Sequence, residues 1–329
     1  MFKNVKVLFP CLIVLILLLL VLDIQAGYAS IPWNELLSSL FAHGDETTRF
    51  LIVELRLPRV LASLLIGIGL SLSGCVLQGV SHNEMAEPGL LGINAGAGLM
   101  MALYLLLFQN QSPHFSFLLP LLAFAGAGLT FWIEYKLASN KKKLHPKRLL
   151  LMGVAISMAI TSLTTILMLK MPDQQYAFVQ SWIAGNIWGA SWTSVLFLTV
   201  SMAVIFGLIA YKSRILNALA LQEEVSIGIG VNVFKESRLF FVLAIILASL
   251  CASIGGGLIF VGLVCPHLAR RIVGSNYKKL VPASVLIGGV LLLVADIGSR
   301  TLFLPYEMPI GIVATVIGAP YFLYLLMKN

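Results

Sequence analysis

Ten apolar runs, most of them long enough to cross a lipid bilayer as a helix, are strung through the 329-residue chain with short polar connections between them. They fall at residues 7–22, 60–80, 89–108, 115–135, 149–169, 195–211, 239–254, 258–268, 281–297 and 310–327. Such a chain cannot close a water-facing surface. Of its residues 59% are hydrophobic and 11% charged, whereas a soluble domain places about a quarter in Asp, Glu, Lys and Arg. In hydrocarbon every backbone polar group must be bonded within the protein, so spans of this length predict helices. The expectation is an all-α, polytopic membrane protein: one domain over 1–329, with ten transmembrane helices. The eighth run is the shortest and lies between Gly255, Gly256, Gly257 and Pro266, a broken span of the kind tolerated only where protein or a cavity covers it.

The net charge of +8 is scattered over the loops rather than gathered on one face, which argues for topology and against nucleic-acid binding. With ten spans, only Arg49, Arg56, Arg59, Lys170 and Arg300 fall on one side, leaving 17 of the 22 basic residues on the other. Cytoplasmic loops hold the excess of Lys and Arg, so both termini are expected in the cytoplasm and the chain in the cytoplasmic (inner) membrane. Lys3 and Lys6 before the first run fit a retained first helix running outward, and Lys141, Lys142 and Lys143 fix topology or attract anionic lipid, with no transport role. The two longer external segments, 23–54 and 170–194, carry Trp33, Trp182, Trp188 and Trp192, residues suited to the membrane interface.

Several chemistries are missing. The four cysteines and five histidines are dispersed without metal-ligand spacing, so neither a metal site nor a cofactor is expected. No phosphate-binding Gly-x-x-x-x-Gly-Lys-Ser/Thr loop, HExxH or GxSxG occurs, which predicts a non-enzyme that takes any ATP energy from a partner. An ion-coupled carrier usually needs an ionisable or unwound site at mid-membrane, whereas the acids here lie at span ends. Asp296 comes nearest to an exception, and Arg300 four residues later makes an ion pair the simpler reading.

Three stretches are rich in glycine, proline and polar residues where ordinary spans are leucine-rich. The first runs from Arg56-Leu57-Pro58-Arg59 through Gly67, Gly69, Gly74 and Gln78-Gly79 to Ala86-Glu87-Pro88-Gly89-Leu90-Leu91-Gly92-Ile93-Asn94. The second holds Gly262-Leu263-Val264-Cys265-Pro266-His267 and Arg270-Arg271; the third holds Asp296, Arg300, Glu307-Met308-Pro309-Ile310-Gly311 and Gly318-Ala319-Pro320. Together, over nearly the whole chain, they resemble the FecCD-type permeases, membrane subunits of ABC importers for iron-siderophores, haem and vitamin B12. The sequence departs from that pattern at Ser81-His82-Asn83-Glu84-Met85, where the family commonly has Asn-Pro-Leu, and at Cys265.

The resemblance implies a permease that translocates Fe(III)-siderophore, with vitamin B12 or haem as alternatives and an ion-gradient-driven secondary carrier as the reading from another class. It implies a second permease copy (a homodimer, or a heterodimer with a paralogue), two ATP-binding subunits and an extracytoplasmic substrate-binding protein or lipoprotein. Arg56, Arg59 and Arg300 then look like docking cations for that binding protein. Glu223, Glu224, Gly228 and Gly230, in a connection spanning about 212–238, look like the segment coupled to the ATPase. Gly153 and Ser157 mark a gate at the start of the fifth helix, and Gln180, Trp182 and Asn186 a short re-entrant helix near the outer gate, over 180–192. Gly67, Gly74, Gly96 and Gly98 are read first as close helix contacts, and alternatively as pore lining.

Overall fold

The computed structural model describes residues 5–27, 31–32, 35, 45–108, 115–140, 143–144, 146–187, 189–221 and 223–328. Lys3, Trp33, His43, His114, Lys141, Lys142, His145, Trp188 and Gln222, on which the sequence carried expectations, lie outside the described residues.

The described chain is helical, apart from a pairing of two residues with two, Ser139–Asn140 with Lys143–Leu144. In order, the helices are α1 (Val5–Gln25), α2 (Glu46–Ser81), α3 (Ile93–Leu107), α4 (Phe115–Ala138), α5 (Pro146–Met168), α6 (Asp173–Ile183), α7 (Trp192–Tyr211), α8 (Ser213–Leu219), α9 (Glu223–Gly228), α10 (Val233–Gly255), α11 (Val261–Val273), α12 (Tyr277–Thr301) and α13 (Ile310–Lys328). Helix α2 widens into a π-helical stretch at Leu51–Arg56. A helix stands at each of the ten apolar runs. Among the described residues, seven are long and apolar enough to cross a membrane: α1, α2, α4, α5, α7, α10 and α12.

Helix α2 is the centre of the bundle, flanked by α10, α11 and α12. It is mostly buried from Pro58 to Val80, and what buries it is close backbone approach. Gly67 crosses Gly288 of α12, and Gly74 crosses Gly262 of α11; a Cβ on Gly67, Gly74 or Gly288 would fall on backbone or β-carbon atoms of the partner helix, and one on Gly262 would press on the Pro88 ring and the Leu70 carbonyl. Gly96 and Gly126 make the same crossing between α3 and α4. Lipid is as apolar as leucine, so helices associate through such packing and through interhelical hydrogen bonds. The bonds are here too: Ser63 donates to the Leu292 carbonyl (3.1 Å), Ser71 to that of Ser284 (2.7 Å) and Ser73 to that of Ala244 (2.7 Å). Gly67, Gly74 and Gly96 are therefore packing residues, whereas Gly98 has only Ile183 and Trp182 at ordinary contact distance and lines a cavity.

Three boundaries differ from expectation, the first at α2, which begins at Glu46, well before the run at 60–80. The eighth run forms a helix of 13 residues, Val261–Val273, starting later and continuing through Pro266. Its approach is non-helical because Gly256 and Phe260 sit at positive φ, +69° and +72°. The short helix expected at 180–192 lies earlier, at Asp173–Ile183: Pro172 precedes its first turn, and Gly185 at φ +83° ends it.

Candidate functional site

At one end of the bundle a buried ionic cluster ties α1, α2 and α12 together. Arg59 donates through Nε and Nη2 to Asp296 Oδ1 (3.2 and 3.1 Å) and through Nη1 to Glu307 (2.7 Å). Arg300, one turn beyond Asp296, pairs with the Asp23 carboxylate and with Asp296 (3.4 Å), and donates to the carbonyls of Asp23 (2.7 Å) and Ala26 (3.0 Å). Arg56 donates to the carbonyls of Ile24 (2.8 Å) and Gln25 (3.3 Å), which α1 leaves open at its C-terminus. The Asp296–Arg300 pair predicted from spacing is present, but enlarged by Asp23 and Arg59. Arg300, expected to face outward for docking, is instead 3% exposed and turned inward, because Asp23 and Asp296 are fully buried and need its charge. Arg59 keeps one nitrogen directed at the exposed Glu307, and Arg56 is only half buried, so of the three they alone reach toward the surface.

Toward the middle of the molecule, α6 and the turn after it are clasped by glycine-mediated backbone contacts. The Gly257 amide donates to the Trp182 carbonyl (3.2 Å), and the Gly311 amide to that of Gly185 (2.8 Å). A side chain at Gly256, Gly257 or Gly311 would collide with the backbone of residues 182–185, which explains why glycine interrupts both segments. Two cavities adjoin this clasp. One, of about 190 Å³, is lined by Phe178, Ser181, Trp182 and Asn186, with Asn186 Nδ2 donating to Ser181 Oγ (2.7 Å). The other, of about 220 Å³, is lined by uncharged side chains and glycines, among them Asn94, Gly98, Ser157, Thr161 and Thr164. Ser157 Oγ is buried there without a hydrogen-bond partner in the described structure.

Of the expected gate residues, Ser157, Trp182 and Asn186 thus line cavities. Gly153 packs with its α-carbon against the chain at Leu90 and Leu91, so that a Cβ would stand 2.9 Å from the Leu90 carbonyl oxygen. Gln180 points away, exposed on α6. Asn94 stood in the first of the three stretches without a site role, and Thr161 and Thr164 were not singled out; the i, i+4, i+7 spacing of Ser157, Thr161 and Thr164 on one helix face was the available signal.

The opposite end carries the segment expected to couple to an ATPase. Glu223, Glu224 and Gly228 lie on the six-residue α9, and Gly230 follows at φ +84°. Ser226 donates to the Ala218 carbonyl of α8 (2.7 Å), folding the two short helices onto each other and leaving Val225, Ile227 and Ile229 exposed beside the acids. Lys212 and Glu236 pair at 2.6 Å across the base of this segment. Next to it, the connection between α2 and α3 makes contacts of its own. His82 Nε2 lies 3.1 Å from the Leu221 carbonyl oxygen, and Glu84 accepts from Arg270 of α11 (2.7 Å) and approaches His267 Nδ1 (3.5 Å). Glu87 is almost fully buried beside the Gly89 backbone, and burial pushes its carboxyl up to about 8.

Comparison with known proteins returns the same overall fold. The model of the FecCD transport family matches residues 14–328. The iron(3+)-hydroxamate import system permease protein FhuG of Bacillus subtilis is 39% identical over 95% of this chain and 94% of its own length. The iron-uptake system permease protein FeuC of the same organism is 36% identical, covering 96% of each chain. A solved structure described as an inward-facing conformation of a metal-chelate type ABC transporter superposes with a TM-score of 0.84 at 28% identity, over 98% of this chain and 99% of the other. The match of the family model across almost every residue, together with full-length relatives above 30% identity, places this chain in the FecCD transport family.

Proposed function

We propose that this chain is the membrane-spanning permease subunit of an ATP-binding-cassette importer that moves Fe(III)-siderophore across the cytoplasmic membrane. The observation that carries the reading is its near-complete alignment with permeases of iron(III)-hydroxamate and iron-uptake systems. Ten spans, both termini in the cytoplasm, follow from the sorting of 17 basic residues to one side; α3 and α11, shorter than a full bilayer crossing, are then the spans shielded by neighbours.

A second permease copy is supported by α5, where exposed apolar residues such as Leu151 and Met158 run beside Ser157 and Thr161 at the edge of the larger cavity. A symmetric partner would cover this face and enclose the polar lining between two protomers. Arg56 and Arg59 at the outer end are the docking cations for a substrate-binding protein, while Arg300 holds their platform together. The exposed Val225, Ile227 and Ile229 among Glu223 and Glu224 form the surface that meets an ATP-binding subunit. Closure of two such subunits would rock the protomers between outward- and inward-facing states.

The test is uptake of radiolabelled iron, presented as a panel of siderophores and as haem beside labelled vitamin B12, in cells with and without the chain. Loss of one iron-siderophore signal on deletion, restored by the wild type and not by a Gly228→Pro variant present at normal level, is the expected result. Loss of only the haem or B12 signal would reassign the substrate. Uptake by the purified chain alone under an ion gradient would overturn the ATP-driven mechanism.

A further inference from the structure

We propose that residues 81–91, between α2 and α3, relay movement of the α8–α9 segment to α5, and that Glu84 is the positioning residue that holds them in register. The inference rests on the permease reading for its consequence, and on the following chain of contacts for its substance. At its start, His82, in left-handed conformation at the end of α2, lies 3.1 Å from the carbonyl oxygen of Leu221, which joins α8 to α9. Two residues on, Glu84 reaches α11 through Arg270 (2.7 Å) and His267 (3.5 Å). Asn83 stiffens the turn between them, its side chain accepting from the Met85 amide (2.9 Å) and its carbonyl from that of Ala86 (3.1 Å). The chain then turns inward through the buried Glu87 and the 3₁₀ turn Pro88–Leu90. It ends against α5, where Gly153 lets the helix close on Leu90 and Leu91, one turn before Ser157 enters the cavity that Gly89 also lines.

Glu84 is also one of the places where the sequence departs from the pattern it otherwise resembles, so the latch to Arg270 and His267 belongs to this chain's own residues. Coupling of this kind needs a rigid element that both sites bias, and residues 81–91 have fixed contacts at each end.

Two measurements test it. Amide hydrogen exchange on the purified full chain is expected to quicken about tenfold in Glu84→Gln over both 82–91 and 219–228, with Glu84→Asp close to wild type and the Arg300 end unchanged. Unchanged exchange at 219–228, or a rise everywhere, overturns the relay. In the assembled importer, Glu84→Gln is expected to lower iron moved per ATP hydrolysed while hydrolysis continues, and the exchange of charges Glu84→Arg with Arg270→Glu to recover part of it. Equal loss of transport and hydrolysis, at a normal amount of chain in the membrane, would assign Glu84 a merely structural role. If the wild-type assembly moves no iron, the substrate reading fails, while the exchange experiment still decides the relay.

Discussion

Replacing Arg300 with methionine tests how the Asp23–Arg59–Asp296–Arg300 cluster is held. The wild-type quartet is balanced, two arginines against two aspartates, with Asp23 and Asp296 fully buried. Methionine fills most of the arginine stem's volume but removes the donors to Asp23, Ala26 and Asp296. Arg59 still serves Asp296, whereas Asp23 has no other cation within ion-pair distance among the described residues and one of its oxygens is already without a partner. Breaking a buried pair in this way costs about 3–5 kcal/mol, or two to four orders of magnitude in the ratio of folded to unfolded chain. Neutralising both partners, Arg300→Met with Asp23→Asn, removes the uncompensated charge and should recover well over half of that loss. The assay is reversible unfolding of the purified chain in detergent micelles for the wild type, both single variants and the double. A single variant within about 1 kcal/mol of wild type, or a double variant no better than Arg300→Met, would refute the reasoning.

Gly74→Leu should abolish accumulation of folded chain in the membrane, since its side chain would occupy the Gly262 backbone, whereas Gly98→Ala, whose nearest neighbour is Ile183 at 3.4 Å, should accumulate as wild type; immunoblots of membrane fractions compare them. Gly256→Ala adds a left-handed φ of +69° to a clash with the Trp182 carbonyl, and faster proteolysis within residues 173–187 would report release of α6. Glu87 has a folded-state value near 8 against an ordinary 4.5, so the folded chain holds its proton where the unfolded chain has lost it. Stability therefore falls as pH rises from about 4.5 toward 8, and Glu87→Gln should flatten the melting temperature over that window. Lys212→Ala should leave folding intact but lower coupling of ATP hydrolysis to uptake, by freeing the base of α8–α9 from Glu236 at 2.6 Å; unchanged coupling would show that pair to be incidental.

Much of this protein was legible in its sequence. Hydrophobic runs of bilayer length leave the backbone no choice but helix, and a helix stands at each, although α2 begins at Glu46, well before its run at 60–80. Glycine strings marked the broken approach to α11, where Gly256 takes a positive φ, whereas the contacts of Gly257 and Gly311 with the turn after α6 appear only in the structure. The same strings carried the resemblance to the family that the comparisons then showed. Spacing along one helix was enough to pair Asp296 with Arg300.

What only the tertiary structure decided is which side chains from remote segments meet. Asp23 and Arg59 join Arg300 and Asp296 from 237 to 277 residues away, and nothing in local pattern marks Arg300 as an inward anchor rather than an outward cation. Glu84 likewise reads as a loop acid until Arg270 is seen 2.7 Å away. Local periodicity encodes the burial of one face of a helix, but charge pairing between helices depends on their mutual depth and rotation. Those are set by close crossings such as Gly67 on Gly288 and Gly74 on Gly262, which no window along the chain contains.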